Sequence, residues 1–184
     1  MRGYFGIGVE RLSKPLNAGN LFRSAHAFGA SFVFTLAGAY RKSASDTTGA
    51  TANLPYYDFP DLAAMRLPRD CALVGVEFRE DAVELPSFRH PRAAAYVLGP
   101  ERGSLSQGLS ECCDHIVKIP TRFCVNLSVA GAIVMYDRML TLGRFAERPV
   151  APGGPPNPLP PHEFGDVVLR RAGRRVALEK TRRR

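Results

Sequence analysis

The sequence predicts an α/β domain built on a mainly parallel sheet with helices on both faces. Strand-like and helix-like segments alternate from residue 4 to residue 145, the order that crossover-connected parallel strands require. The runs Cys71–Val76 and Ala93–Leu98 are apolar almost throughout, as strands buried on both faces are. The alternation then stops at Pro149–Pro161, which holds seven of the chain's fifteen prolines and reads as an extended linker. These observations divide the chain into a domain at 1–147, a Pro-rich linker at 148–161 and a basic C-terminal tail at 162–184.

Tyr4–Val9 reads as the first strand. Asn17–Phe28 reads as a helix, with Leu21, Ala25 and Phe28 along one face, Asn17 able to cap its start and Gly29 placed to end it. Ser31–Leu36 is a short strand. Gly38–Asn53, rich in Gly, Ser, Thr and Ala, reads as a long loop with at most one helical turn. Pro60–Leu67 reads as a short helix, and Glu77–Pro91, between the two apolar strands, as a polar connection. Ser106–Cys113 is a short helix, His115–Ile119 a strand and Asn126–Phe145 a long helix, with Leu127, Gly131, Val134 and Leu142 on one face. In the tail, Val167, Val168 and Leu169 could dock, but the segment is expected to stay mobile until bound.

At 184 residues the chain can bury roughly 70% of its unfolded surface, so neither disulfides nor a structural metal is needed. With 45% hydrophobic residues it is not disordered throughout. No apolar run approaches the ~20 residues of a membrane span, and the N-terminus lacks the apolar core of a secretory signal. Cys71, Cys112, Cys113 and Cys124 form no Cys-x-x-Cys pair, and no His stands at zinc-finger spacing, so no metal is expected and a reducing cytoplasm is the expected compartment. Net charge is +8, and the tail carries seven Arg and one Lys against three acidic residues. A basic tail on a nearly balanced domain suits a polyanion, most often nucleic acid, although a solubilising tail has the same composition.

Gly3, Gly6 and Gly8 invite a dinucleotide-binding reading, but their order is G-x-x-G-x-G. They lie within the strand instead of at its exit, and Pro15 interrupts before the helix. A phosphate-cradling turn needs glycine between strand end and helix start, so this reading fails.

Three other segments carry chemistry. In Pro15–Gly29, Arg23 stands one position from the apolar row, where it could line a cleft or be solvated. In Tyr96–Leu105, an apolar strand runs into Gly99-Pro100-Glu101-x-Gly103, at the strand end where open α/β sheets bind ligands; an ordinary turn is the alternative. In Ile119–Tyr136, a strand ends at Pro120 and a long helix begins near Asn126, which is a plain cap or the mouth of an anion site.

Taken together, Asn17-Ala-Gly-Asn-Leu-Phe-Arg23, Leu98-Gly-Pro-Glu-Arg-Gly-Ser-Leu105, and Ile119-Pro120 followed by Cys124-Val-Asn-Leu-Ser-Val-Ala130 resemble the three ordered motifs of the SPOUT superfamily, in particular its SpoU/TrmH-type RNA ribose 2′-O-methyltransferases. The resemblance covers about residues 4–145, and its Asn126-Leu127-Ser128 phrase is similar to the small enzymes that methylate the tRNA wobble ribose. It implies a C-terminal deep trefoil knot, S-adenosyl-L-methionine held in that knot, and active sites formed across a homodimer. It implies a cofactor pocket of Val76 or Glu77, Leu98, Gly99, Ile119, Cys124, Asn126 and Leu127. It makes Arg23 the catalytic residue, contacting phosphate or the forming alkoxide, with Asn17 and Glu101 in support. RNA phosphates are expected against Arg23, Arg41, Lys42, Arg122 and the basic tail, with Tyr40, Tyr56 and Phe123 as aromatics able either to stack on bases or to join the core.

Two departures motivate a second reading. Cys124 stands where the family has Ser, and the stretch from Ile119 to that position is shorter. A thiol is a weaker hydrogen-bond partner than a hydroxyl, so an RNA-binding module of the same fold without methyltransferase activity is the alternative. A nucleotide-binding α/β protein of another family is a third reading.

Overall fold

The computed structural model describes residues 3–38, 53–145, 148, 149, 152 and 153, and the backbone of two short strands at 169–171 and 174–176. The chain divides into two compact units, Met1–Phe145 and Ala146–Arg184.

In the first unit β1 (Tyr4–Glu10) leads to α1 (Pro15–Phe28) and β2 (Phe32–Leu36), and β3 (Tyr56–Phe59) and β4 (Ala72–Val76) follow. Next come the two-residue β5 (Val83–Glu84), a 3₁₀ turn at Leu85–Ser87, β6 (Ala93–Leu98), α2 (Gln107–Cys112), β7 (His115–Lys118) and α3 (Leu127–Leu142). The seven strands form one sheet in the order β3-β2-β1-β6-β4-β7-β5, and every neighbouring pair is parallel.

Each face of the sheet carries its own core. Phe5, Ile7, Val9, Val74, Tyr96 and Leu98 point to the side covered by α1 and α3, where Leu21, Phe22, Val134 and Met135 meet them. Phe32, Phe34, Ala95, Val97, Leu105 and Leu109 fill the other side, with α2. Along β1 this alternation places Gly6 and Gly8 on the second face, in register with Phe32 and Phe34. A Cβ on Gly6 would stand 2.2 Å from the Phe32 ring, and one on Gly8 would stand 2.5 Å from both the Phe34 ring and its carbonyl oxygen. The glycines that imitate a nucleotide fingerprint therefore make room for two aromatic rings. At Gly131 of α3 a Cβ would stand 2.2 Å from Leu21, so this glycine sets how closely α1 and α3 approach.

Helix ends follow their capping chemistry. Gly29 closes α1 in the left-handed conformation (φ 77°). Ser106 caps α2 through Leu109 N, and Asn126 caps α3 through Ser128 N. The start of α1 differs from expectation: Pro15 occupies the first turn and Lys14 is the cap residue, so Asn17 lies inside the helix and its side chain is free for other bonds.

Pro60–Leu67 is not a helix. Asp61 Oδ1 accepts from Ala64 N, and Arg66 Nη1 donates to the carbonyls of Ala63 and Met65, closing a turn instead. Leu67 also precedes Pro68, which disfavours helical backbone. Strand β3 was not expected, and neither was β5. Within Glu77–Pro91 the residues Ala82, Leu85, Phe88 and His90 are buried, so this connection supplies core. The expected loop Gly38–Asn53 lies almost wholly outside the described residues, as do Val167 and Val168. In the second unit Leu169–Arg171 (β8) and Arg174–Val176 (β9) pair antiparallel.

All four cysteines are free. Among the described residues no group of three or more His, Cys, Asp and Glu could hold a metal, and no helix is long and apolar enough to cross a membrane.

Beneath the amino ends of the strands lies a buried polar chain. Arg138 Nη1 donates to the Tyr96 hydroxyl, whose O–H is positioned to donate to His90 Nδ1 at 2.6 Å, leaving Nε2–H to donate to Asp137 at 2.9 Å. Burial pushes the Tyr96 phenol up to about 12. Burial also lowers His90 below its ordinary 6.5, against the opposing pull of Asp137 and with a smaller lowering from Arg138. A histidine depressed on folding leaves the unfolded chain as the better proton binder, so its contribution is present above 6.5 and lost as pH falls toward the folded value. Urea unfolding of the wild type should therefore show stability declining between about pH 7 and 5, with a shallower decline in His90→Gln. Equal slopes for the two proteins would count against this assignment.

Candidate functional site

The carboxyl ends of β4, β6 and β7 face one cleft, where open parallel sheets place ligands. Its volume is about 350 Å³. Val76 ends β4; Leu98 and Gly99 end β6; Ile119 follows β7; Cys124, Asn126 and Leu127 open α3. All seven line the cleft. Asn17 and Glu101 line it too, together with Lys14, Glu77 and Phe78. Motif stretches far apart in the chain thus converge on one hollow.

The loop from Gly99 to Ser106 is held by carboxylates reaching it from three directions. Glu10, at the end of β1 and 4% exposed, accepts from Ser106 N at 2.8 Å. Glu77, just past β4, accepts from Leu105 N at 2.7 Å. Glu101, on the loop itself, reaches back to the start of α1 and accepts from Ser13 N, the Ser13 hydroxyl, Lys14 N and Asn17 Nδ2. Arg11 completes the frame by donating to Ser104 O at 2.6 Å. Burial acts to raise the Glu101 carboxyl, but the hydrogen bonds from Ser13, its own backbone and Asn17 outweigh it and hold it below the ordinary carboxylate value.

Asn17 joins the loop after β6 to the mouth of α3. It donates to Glu101, and its Oδ1 accepts from Asn126 Nδ2 at 3.2 Å. Asn126 is thus both a helix cap, through Ser128 N at 2.9 Å, and part of this bridge. The Cys124 thiol is exposed at the cleft.

Arg23 is placed elsewhere. It is exposed and lines a second hollow between α1 and α3, with Asn20, Ser24, Phe28, Ser128, Val129 and Tyr136. The bonds of Glu101 run to Ser13, Lys14 and Asn17, at the start of α1. Arg122 and Phe123 lie exposed in the loop before α3, Phe123 to 75%. Tyr56, by contrast, bonds Thr35 at 2.7 Å and packs near Phe22, so it belongs to the core. Tyr40, Arg41 and Lys42 lie outside the described residues.

Sequence reasoning missed Glu10, Arg11, Ser13 and Lys14 as parts of this frame. One signal was available: Glu10 and Glu77 are acidic residues directly at the carboxyl ends of apolar strands, where a carboxylate has little packing purpose.

The chain is 30% identical over 141 residues to the 23S rRNA (guanosine-2'-O-)-methyltransferase RlmB of Nitrosomonas europaea, covering 70% of this chain and 53% of that protein. It is 26% identical over 163 residues to the 23S rRNA (uridine(2479)-2'-O)-methyltransferase of Streptomyces viridochromogenes, covering 79% and 56%. The chain thus spans about half the length of these relatives. Among solved structures, the SpoU methyltransferase AviRb from Streptomyces viridochromogenes superposes with a TM-score of 0.66 at 23% identity, over 76% of this chain and 60% of that one. A structure concerned with 2-OH methylation of C/U34 on tRNA gives a TM-score of 0.65 at 23% identity, over 76% and 91%. The model of the SpoU rRNA Methylase family matches residues 5–136, which run from β1 through most of α3 and include every stretch lining the cleft, and the chain belongs to that family.

Proposed function

We propose that this chain transfers a methyl group from S-adenosyl-L-methionine to a ribose 2′-hydroxyl of RNA. The observation that carries this reading is the convergence of the loop after β6, the loop after β7 and the amino end of α3 on one cleft at the carboxyl edge of the sheet. The volume falls in the range of small-molecule sites. Val76, Leu98, Ile119 and Leu127 offer apolar walls to a flat base. Gly99 keeps backbone accessible, since a Cβ there would stand 3.1 Å from Leu105 N and 3.3 Å from Glu77 Oε2. The start of α3 presents amides that favour a carboxylate. The group these residues fit supplies a methyl activated by a positively charged sulfur.

The protein's part is to align the ribose oxygen, stabilise negative charge forming on it and give the hydroxyl proton a way out. In this reading Arg23 does the second, binding RNA phosphate or the forming alkoxide. A guanidinium keeps its charge in proteins, so it acts as a cation and not as a free base. Because Arg23 lines a different hollow from the cleft, the reading needs a homodimer in which one subunit's Arg23 serves its partner's cleft. The exposed Val129 and Tyr136 beside Arg23 suit such an interface. The strand order β6-β4-β7, in which later strands flank an earlier one, suits the deep trefoil knot that this fold family ties in its C-terminal part.

We take the RNA to be tRNA, on the Asn126-Leu127-Ser128 phrase; the names of the two relatives make 23S rRNA the competitor. Mapping ribose methylation in a strain lacking the protein separates these substrates. We place the activity in residues 1–147, with 148–161 as linker, 162–184 as an RNA-gripping tail, and a reducing cytoplasm as the setting for the four free thiols. Calorimetric titration with S-adenosylmethionine tests the central claim. Binding at micromolar to sub-millimolar concentration is expected, because exchanging a Ser hydroxyl for the Cys124 thiol costs only ~0.5–1.5 kcal/mol. No binding at millimolar ligand would favour the non-methylating RNA-binding module.

Truncation after Glu147 removes the eight Arg and Lys residues of 162–184. RNA affinity at low salt should fall about tenfold or more and its salt dependence should flatten, because fewer counterions are released. Affinity for S-adenosylmethionine should not change. Unaltered RNA affinity would remove the tail from the mechanism.

A further inference from the structure

Glu77 stands just past the carboxyl end of β4 and is only partly buried. Its two oxygens are fixed by backbone. Oε2 accepts from Leu105 N at 2.7 Å, and Oε1 accepts from Phe78 N at 3.0 Å. Gly99, at the end of β6, leaves the space that brings Oε2 beside the cleft; a Cβ there would be 3.3 Å from it. Glu77 lines the cleft together with the apolar Val76, Leu98, Ile119 and Leu127, and also borders the hollow beside Ser104 and Leu105.

A carboxylate has about four acceptor sites and no donor. The two backbone amides use one on each oxygen, leaving acceptor capacity at a carboxylate that cannot rotate without losing both bonds. Such a group suits a vicinal diol, whose two hydroxyls donate in parallel. It repels a phosphate ester at the same place. We propose that Glu77 is a specificity-determining residue that accepts the 2′- and 3′-hydroxyls of the methyl donor's ribose. This rests on the reading of the cleft as the donor site. Glu77 thereby ties ligand recognition to the loop that forms one wall of the cleft, because the same oxygen that holds Leu105 N adjoins Gly99.

The full chain is titrated calorimetrically with S-adenosylhomocysteine and with its 2′-deoxy and 3′-deoxy counterparts, as wild type and as Glu77→Gln. In the wild type each deoxy ligand should bind about tenfold or more weakly than the parent. In Glu77→Gln the parent should itself bind more weakly, and loss of a hydroxyl should add less than about threefold, because the hydroxyls and the carboxylate are coupled. A role confined to holding the loop would weaken all three ligands by one common factor and keep the hydroxyl penalty intact, which overturns the proposal. Deoxy ligands that bind the wild type as tightly as the parent overturn it without recourse to the variant. Failure of all three ligands to bind the wild type at millimolar concentration overturns the donor reading itself, and this inference with it.

Discussion

Replacing Arg138 with methionine should destabilise the domain by about 3–5 kcal/mol, the scale on which removing one partner leaves buried polar groups without their own. Arg138 sits on α3 and is 4% exposed. Its guanidinium donates to the carbonyls of Pro91, Arg92 and Tyr4 and to the Tyr96 hydroxyl, and it lies over the Phe5 ring at 5.3 Å. One planar fork therefore joins α3 to β1 and to the entry of β6. Methionine keeps the apolar stem and much of the volume, so the loss isolates the donors from simple cavity formation. Lysine should not restore stability, because an ammonium on a flexible stem cannot meet acceptors spread across a plane. Urea unfolding measures both. A loss below about 1 kcal/mol for Arg138→Met would show that water or backbone adjustment replaces the guanidinium.

The same residue shows where sequence reading reaches its limit. The central strands β1, β2, β4 and β6 were legible because each is an apolar run buried on both faces, a property of its own residues. The caps at Gly29 and Asn126 were legible because capping is local. Strand β3 lies between Pro55 and Pro60 and carries Asp58 and an exposed Tyr57; it pairs because β2 offers a free edge. The two-residue β5 is similarly held by β7. Nothing in Glu77–Pro91 marks His90 as buried, since its partners Tyr96 and Asp137 lie on other elements. At the cleft, residue identities were legible through the motif pattern. The bond from Glu101 to the start of α1 was not, because spacing along a helix fixes the face of Arg23 and Asn17 but not what stands opposite. Turning α1 at Pro15 instead of Asn17 left Asn17 available to bridge Glu101 and Asn126.

That separation of Arg23 from the cleft makes the second large effect a test of assembly. Arg23→Ala and Gly99→Val should each abolish methyl transfer almost completely as pure proteins. The first removes the cation proposed to meet the forming alkoxide. The second puts methyls where even a Cβ would stand 3.1 Å from Leu105 N, crowding the cleft proposed for the donor. Co-expressed and purified through two different tags, a mixed form of the proposed homodimer should recover about half the wild-type rate, because closed twofold symmetry gives one site with an intact cleft and an intact partner arginine and one site with neither. If each subunit used its own Arg23, both sites of the mixed dimer would lack one component and the recovered rate would be zero. Titration with S-adenosylhomocysteine at about one site per mixed dimer confirms that Gly99→Val blocks only its own cleft. An inactive mixed dimer with that one site intact would place the arginine's work within a single chain, where Arg23 would have to cross from the hollow beside Tyr136 to the cleft at Asn126.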